Sequence, residues 1–565
     1  MPYHQVLVVG GGLAGLRAAI EASQGGVDCA ILSMVYPIRS HSGAAQGGIN
    51  AALGNAPEGR DDGWERHAAD TIKGSDFLGD QDAVEIMAQE APQRVYELEH
   101  WGVPFSRIKE GLIAQRPFGG GAFPRTCYAA DKTGHYLLHT LYEQSIKRRI
   151  PVYSEWVVTS LVVKEGGCKG VIAYHLPSGE LEAFGAGAVI FATGGAGRIY
   201  NHSTNAIINT GAPMAVAYRA GVPLEDMEFV QFHPTGLYGT DILITEGARG
   251  EGGFLFNAQG ERFMERYTPT AMELAPRDIV ARSILTEVQE GRGFDNAYVH
   301  LDLRHLGREK ILERLPGIRD IAMDFAGIDP IDRPIPVLPA QHYTMGGMET
   351  DSWGETRVKG FFACGECACV SVHGANRLGG NSLLDTVLFG KRAGERASSD
   401  AGAQARNEGN ADLEEALAAT RTRLEALASG GGREDPSSIR KEMGEAMMEH
   451  VGIFRDREAM ARGLEKICEL RERYRHIRPV HGGRRYNLDL IRTWELEGQL
   501  ELAEIITLGA LAREESRGSH YRLDFPQRDD EHWLKHTLAH SALPRPYLEY
   551  KDVTITQWKP EARKY

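Results

Sequence analysis

The stretch "QVLVVGGGLAG", Gln5 to Gly15, decides how the rest of the chain is read. Gln5 to Val9 is a short apolar run of strand type, and after the glycines Leu16, Ala19 and Ile20 recur at helical spacing. Gly10, Gly12 and Gly15 therefore satisfy G-x-G-x-x-G in the setting that gives it meaning, a strand, a glycine turn and a helix. There the glycines let backbone N–H groups and the helix N-terminus approach a pyrophosphate. A second strand is expected over Asp28 to Leu32. A nicotinamide site would place Asp or Glu at its end, about 20 residues past the glycines, to hold a ribose. Ser33 stands there instead, which weakens a nicotinamide reading and leaves FAD or an unusual ribose contact.

Further on, "AVIFATGGAG" reads as a buried strand ending at Thr193, Gly194 and Gly195, and "GFFACGEC" repeats the form, ending at Gly365 and Glu366. A nucleotide-binding unit that begins at residue 5 and resumes near 355 must carry an insert. The expected organisation is α/β. A Rossmann-like domain over 1–235 and 346–405 is interrupted by a capping domain at 236–345, where Pro and Gly become frequent. A helical bundle follows at 406–530, since Leu413, Leu417, Leu424 and Leu427, then Ile439, Met443, Met447 and Val451, recur at helical spacing around a glycine break. A small mixed segment over 531–565 closes the chain.

Length and charge narrow the functional classes. At 565 residues the chain exceeds what one hydrophobic core usually serves, in keeping with several domains. The 63 basic and 77 acidic side chains leave a net charge of -14, which offers no general attraction to nucleic acid or anionic lipid. Any anionic substrate must be gripped by locally placed cations. No apolar run of about 18 residues occurs, so no membrane span is expected. Met1 to His4 lead straight into a strand without the regions of an export signal. Seven cysteines, an odd number, argue for a reducing compartment rather than a disulfide framework. Cys364, Cys367 and Cys369 cluster, but no second Cys or His cluster with ligand spacing completes a site, so no metal is expected.

Five segments set polar or cationic side chains beside glycine or proline: "QFHPTG" with His233, "ITEGARGEGG" with Thr245, Glu246 and Arg249, "ELAPRDIVARSI" with Arg277, "QHYTMGG" with His342, and "HGANRLGGNSLLD" with Arg377 and Ser382. Each alone reads more simply as structural than as catalytic. Converging, two imidazoles and two or three guanidinia would make a site for a small dianion, because Arg grips carboxylates bidentately.

These segments also carry a resemblance. Together with "VVGGGLAG", "RSHSGAAQGGIN", "RPFGGGAFPRT", "FATGGAG" and "EESRGSHYRLDFPQRDD", in order over nearly the whole length, the chain resembles the flavoprotein subunits of succinate dehydrogenase and quinol:fumarate reductase. The resemblance implies FAD joined covalently through its 8α-methyl to His41, which answers why a lone histidine sits in a run of small residues. It implies that Gly10, Gly12 and Gly15 bind the pyrophosphate. Ser33, Arg39, Ser40, Ser42, Gln46, Gly47 and Gly48 would wrap the cofactor, and Thr193, Gly194, Gly195, Asp226, Glu366, Ser382 and Leu383 would complete its pocket. His233, Thr245, His342 and Arg377 would hold the substrate carboxylates with Phe118 nearby, and Arg277 would transfer the proton with Glu246 and Arg249 as its relay.

The implied activity is the interconversion of succinate and fumarate. Electrons would pass to an iron–sulfur subunit and then to a membrane anchor, with the chain peripheral to the cytoplasmic face of the cell membrane. L-aspartate oxidase is the nearest rival, disfavoured by His41, and a noncatalytic flavin scaffold has no need of His233, Glu246 and Arg277 together. Gln46 stands where some fumarate reductases carry Glu and others Gln, a slight lean towards succinate oxidation that leaves the direction open.

Overall fold

The computed structural model describes residues 1–403, 410–542 and 545–564. The expected boundary at 405/406 lies outside the described residues.

Strand Tyr3–Val9 pairs in parallel with Cys29–Ser33 on one side and Glu180–Phe191 on the other. Val152–Ser154 extends the sheet beyond Cys29–Ser33, and Phe361–Ala363 pairs in parallel with Glu180–Phe191. Trp156–Lys164 and Gly167–His175 complete a seven-stranded sheet by antiparallel pairing. Val6 to Val9 and Val189 to Phe191 are buried throughout, as a parallel sheet covered on both faces requires. The register aligns the strand ends: Val9 lies opposite both Leu32 and Phe191, and Ala363 also lies opposite Phe191. Gly10, Ser33, Thr193 and Glu366 therefore leave the sheet along one edge, the carboxyl edge where open α/β sheets bind ligands.

The glycine turn is required at two places. Gly10 sits at φ +116°, and a Cβ there would lie 2.1 Å from the Ala192 carbonyl oxygen. A Cβ on Gly15 would lie 1.9 Å from the Gly10 carbonyl oxygen, so only glycine lets helix Leu13–Gln24 start so close to the strand end. That helix packs on Asn381–Ala403, crossing where Gly394 meets the Ala18 backbone.

Between these parts lies an antiparallel sheet of four strands in the order Val230–Leu237, Ile335–Thr344, Val299–Asp302, Phe254–Phe256. With helix Arg277–Gln289 it encloses its own core, including Leu255, Val280, Ile284, Leu301 and Val337. His233 opposes Ala340 but Gly236 opposes Leu338, an extra residue that makes a bulge around Pro234. The bulge re-aims the side chains at the point where the strand passes from the main body into the insert.

The helical texture after residue 405 is real: Asn410–Ala428, Pro436–His450, Arg457–Tyr474 and Leu488–Ala512 are helices. Ile439, Met443, Met447 and Val451 are buried in the core they share with the main sheet. Asp435, followed by Pro436 at the first helical position, accepts the Ser437 and Ser438 N–H groups and fixes one start. The mixed last segment folds as the hairpin Lys535–His540 and Tyr547–Asp552. Lys535–His540 pairs with Leu224–Glu225, so the hairpin finishes a five-stranded sheet begun in mid-chain.

A lattice of buried ion pairs ties these parts together. Arg513, fully buried, holds Glu228 at 2.9 Å and Glu515 at 3.0 Å and donates to the Lys535 carbonyl at 2.7 Å. Arg517 pairs with Glu515 at 2.7 Å and donates to the Asp76 carbonyl at 2.8 Å. Removing one partner of a buried pair strands the other charge, at a cost of about 3–5 kcal/mol. Arg513→Met should therefore lower the thermal midpoint by several degrees in a calorimetric scan, whereas Arg457→Met, at an exposed pair with Glu514, should leave it within a degree or so.

Candidate active site

One cavity of about 890 Å³ runs from the glycine turn to the histidine and arginine segments. Its first stretch is lined by Gly10 to Ala14, Ser33, Thr193 and Gly194, with Val157, Val158 and Trp494 as apolar walls at one end. Ser40, His41, Ser42 and Gln46 to Gly48 line its middle, with Glu366, Ser382 and Leu383. Phe118, His233, Thr245, Glu246, Arg277, His342 and Arg377 line the far end. The expected cofactor cradle and the expected dianion pocket are thus two ends of one space.

The cationic end is built from close contacts. Arg277 opens helix Arg277–Gln289 directly after Pro276, a place where the helix dipole disfavours a cation. It is held there by Glu246, whose Oε2 accepts from Nε at 2.7 Å, and by Gln231, whose Oε1 accepts from Nη1 at 3.1 Å. The Glu246 Oε1 accepts the Gly119 N–H at 2.6 Å. Burial pushes the Glu246 carboxyl up, but Arg277, Arg249 and these hydrogen bonds outweigh it and hold it below the usual carboxylate range. Two buried guanidinia, Arg277 and Arg377, line this end against the one ionised carboxylate of Glu246, while Arg249 is buried behind it with Glu273 also near, and the local excess of positive charge fits a dianion.

His233 and His342 come from adjacent antiparallel strands, with rings 4.9 Å apart. Burial lowers both well below the ordinary histidine range, and Arg277 lowers them further, so both are neutral. The His233 Nδ1 accepts the Thr235 N–H at 3.2 Å, which puts its proton on Nε2 as a neutral donor. Thr245, at the bulge end, caps helix Glu246–Gly250 by accepting the Gly247 N–H. Burial and then Arg277 lower Arg377 to about 9.

At the junction, His41 lies in a single turn of 3-10 helix, His41–Ala44. Its Nδ1 accepts the Ala206 N–H at 3.3 Å. Burial, with Arg198 nearby, lowers it to about 4, so the imidazole is neutral.

Five expected residues do not line the cavity. Gly15 shapes the turn beneath it, Arg39 is exposed, and Gly195 makes room for Glu366, whose Oε1 would lie 2.1 Å from a Cβ there. Arg249 stands behind Glu246, donating to the Glu273 carbonyl. Asp226 pairs with buried His536 at 2.7 Å and accepts the Thr537 N–H at 3.0 Å, a cationic partner that a buried carboxylate at that sheet edge needs. The sequence does not single out Gln231, Gly119, Arg198 or Thr204, whose Oγ1 lies 2.7 Å from His342 Nδ1. Gln231 and Gly119 lie inside quoted segments, "QFHPTG" and "RPFGGG", but an uncharged amide and a backbone N–H give no chemical signal.

The residues fit an FAD. Gly12 gives helix Leu13–Gln24 no side-chain cap, leaving its N-terminus for phosphate, and Thr193 Oγ1 is buried without a partner beside it. A family model for an FAD binding domain matches residues 5–383, and one for the fumarate reductase flavoprotein C-terminus matches 440–565. The succinate dehydrogenase flavoprotein subunit of Rickettsia bellii is 47% identical over 99% of this chain and 96% of its own. The chain belongs to the succinate dehydrogenase and fumarate reductase flavoprotein family. Another member, the fumarate reductase flavoprotein subunit of Mycobacterium tuberculosis, is 45% identical over 100% of this chain and 99% of its own. A solved structure of E. coli quinol fumarate reductase superposes with a TM-score of 0.95 at 44% identity, covering 100% of this chain and 99% of that one.

For this family member the charge states set a pH profile. With both imidazoles neutral and Arg377 charged below about 9, malonate affinity should stay level from about pH 6.5 to 8 and weaken as pH rises through about 9. Titration calorimetry across that range reads it directly; a break centred near pH 6.5 would show a charged imidazole in the site.

Proposed function

We propose that this chain is the flavoprotein catalytic subunit of a succinate:quinone oxidoreductase complex, interconverting succinate and fumarate and passing electrons to an iron–sulfur subunit. The observation that carries this reading is the unbalanced cationic pocket opening into the same cavity as the FAD cradle.

His342 and Arg377 would clamp one carboxylate and His233 with Thr245 the other, with Phe118 against the carbon chain between them. Fixing both ends aligns the two C–H bonds, and such orientation supplies several kcal/mol of the barrier, roughly 7 or more in well-ordered cases. When bound, FAD supplies the acceptor for the hydride equivalent. Arg277, after passing its Nε proton to the Glu246 carboxylate, would take the proton from the neighbouring carbon and so return to the charged guanidinium. Its Nε is committed to Glu246 and its Nη1 to Gln231, which leaves Nη2 for substrate. The charge of Arg249 acts on the Glu246 carboxylate, and the two would form the route by which the proton leaves. The same contacts serve fumarate reduction in reverse, and relatives bear both names.

A covalent 8α link at His41 completes the reading. Support comes from its place on the cavity wall, its neutral imidazole and the Ala206 N–H on Nδ1, which leaves Nε2 for the bond. Among the described residues no helix is long and apolar enough to cross a membrane, so the reading includes a separate anchor subunit. The chain would then sit on the cytoplasmic face, joined through the iron–sulfur subunit.

Purified protein should reduce a dye acceptor with succinate, and Arg277→Gln should lower turnover by about 10²-fold or more while FAD content and malonate binding survive. The denatured band should fluoresce, and His41→Ala should abolish that fluorescence. Dye reduction that persists in Arg277→Gln would remove Arg277 from proton transfer.

A further inference from the structure

Arg377 is held differently from the other two arginines of the pocket. Arg277 is neutralised by Glu246, and Arg249 donates to a carbonyl. Arg377 is buried, yet among the described residues its Nε has no hydrogen-bond partner, and the side-chain hydrogen bond found there is a 3.5 Å contact from Nη1 to the Leu378 carbonyl. What lies against the guanidinium is a ring: its Cζ stands 4.3 Å from the Tyr343 centroid. The ring is itself fixed. Its hydroxyl donates to Asp385 Oδ2 at 3.2 Å and lies 3.3 Å from His373 Nε2, and the His373 ring meets it edge-on at 84°. Burial, with Asp385 and Glu366 near, raises the phenol well above its ordinary value, so the ring stays neutral. Tyr343 also lies opposite Gln231 across the two strands, and the Gln231 Nε2 donates to the Arg377 carbonyl at 2.8 Å. Two cross-strand neighbours thus hold one arginine, Gln231 by its backbone and Tyr343 by its side chain.

The geometry points to Tyr343 as a positioning residue for dicarboxylate binding: its aromatic face orders the Arg377 guanidinium without occupying the N–H donors that the substrate carboxylate must take. A carboxylate in that place would order the cation equally well but would neutralise it and fill its fork. A ring face attracts the cation through its quadrupole and leaves the donor edge open. The Tyr343 hydroxyl serves only to anchor the ring.

This inference rests on the reading of the pocket as a dicarboxylate site, and the test separates the two. FAD-loaded full-length protein would carry Phe at 343, then 4-fluoro, 3,5-difluoro and 3,4,5-trifluorophenylalanine, a series that weakens the ring quadrupole at nearly constant shape. Malonate Kd is read from the flavin absorbance change. Tyr343→Phe should bind within about threefold of wild type. The Kd should then climb stepwise with fluorination, reaching about tenfold, the scale of a desolvated cation–π contact. In turnover with succinate the rise should appear in KM and not in kcat. Tyr343→Leu should match or exceed the trifluoro variant. A flat series, or a Phe variant as weak as Leu, overturns the role of the ring face; wild-type protein that fails to bind malonate overturns the dicarboxylate site itself.

Discussion

The interaction on which the site depends is the pairing of Glu246 with Arg277 at the end of the cavity where Arg277 and Arg377 face that one carboxylate. Burying the Arg277 and Arg377 guanidinia against one carboxylate works against folding, because each ion loses hydration that its neighbours do not fully replace. Such an arrangement persists when the remaining balance is supplied from outside. The pocket is therefore incomplete without an anion, and the neutral state of His233 and His342 keeps the deficit from growing further.

The rest of the fold reads as the means of holding that charge in place. The aligned carboxyl ends of the parallel strands bring Gly10, Ser33, Thr193 and Glu366 to one edge. The inserted sheet then lowers His233, His342 and Arg277 onto that edge from the other side. The bulge at Pro234 matters here, since without the extra residue the alternation of the strand would turn its side chains to the opposite face.

Much of this was legible in the sequence. The glycine turn, the buried strand at Glu180–Phe191, the helix opening at Arg277 and the helical run with Met443 and Met447 all carry local signals, periodicity or glycine in context, that survive folding. Residues whose role depends on distant partners were less readable. The pairing of Asp226 with His536, 310 residues away along the chain, has no local signal. Gln231 and Tyr343 sat in quoted segments but bear no charge, and their importance comes from what lies opposite in a strand pairing that spacing alone does not reveal.

The terminal hairpin has a bearing on how this protein is made. Lys535–His540 pairs with Leu224–Glu225, and Arg513 meets Glu228 across the same boundary. The strand Leu224–Glu225 must therefore wait, with one edge unpaired, until a segment about 310 residues later in the chain has been made. The sheet is consequently closed late in synthesis, and until then the nascent polypeptide carries an open border exposed to wrong pairing.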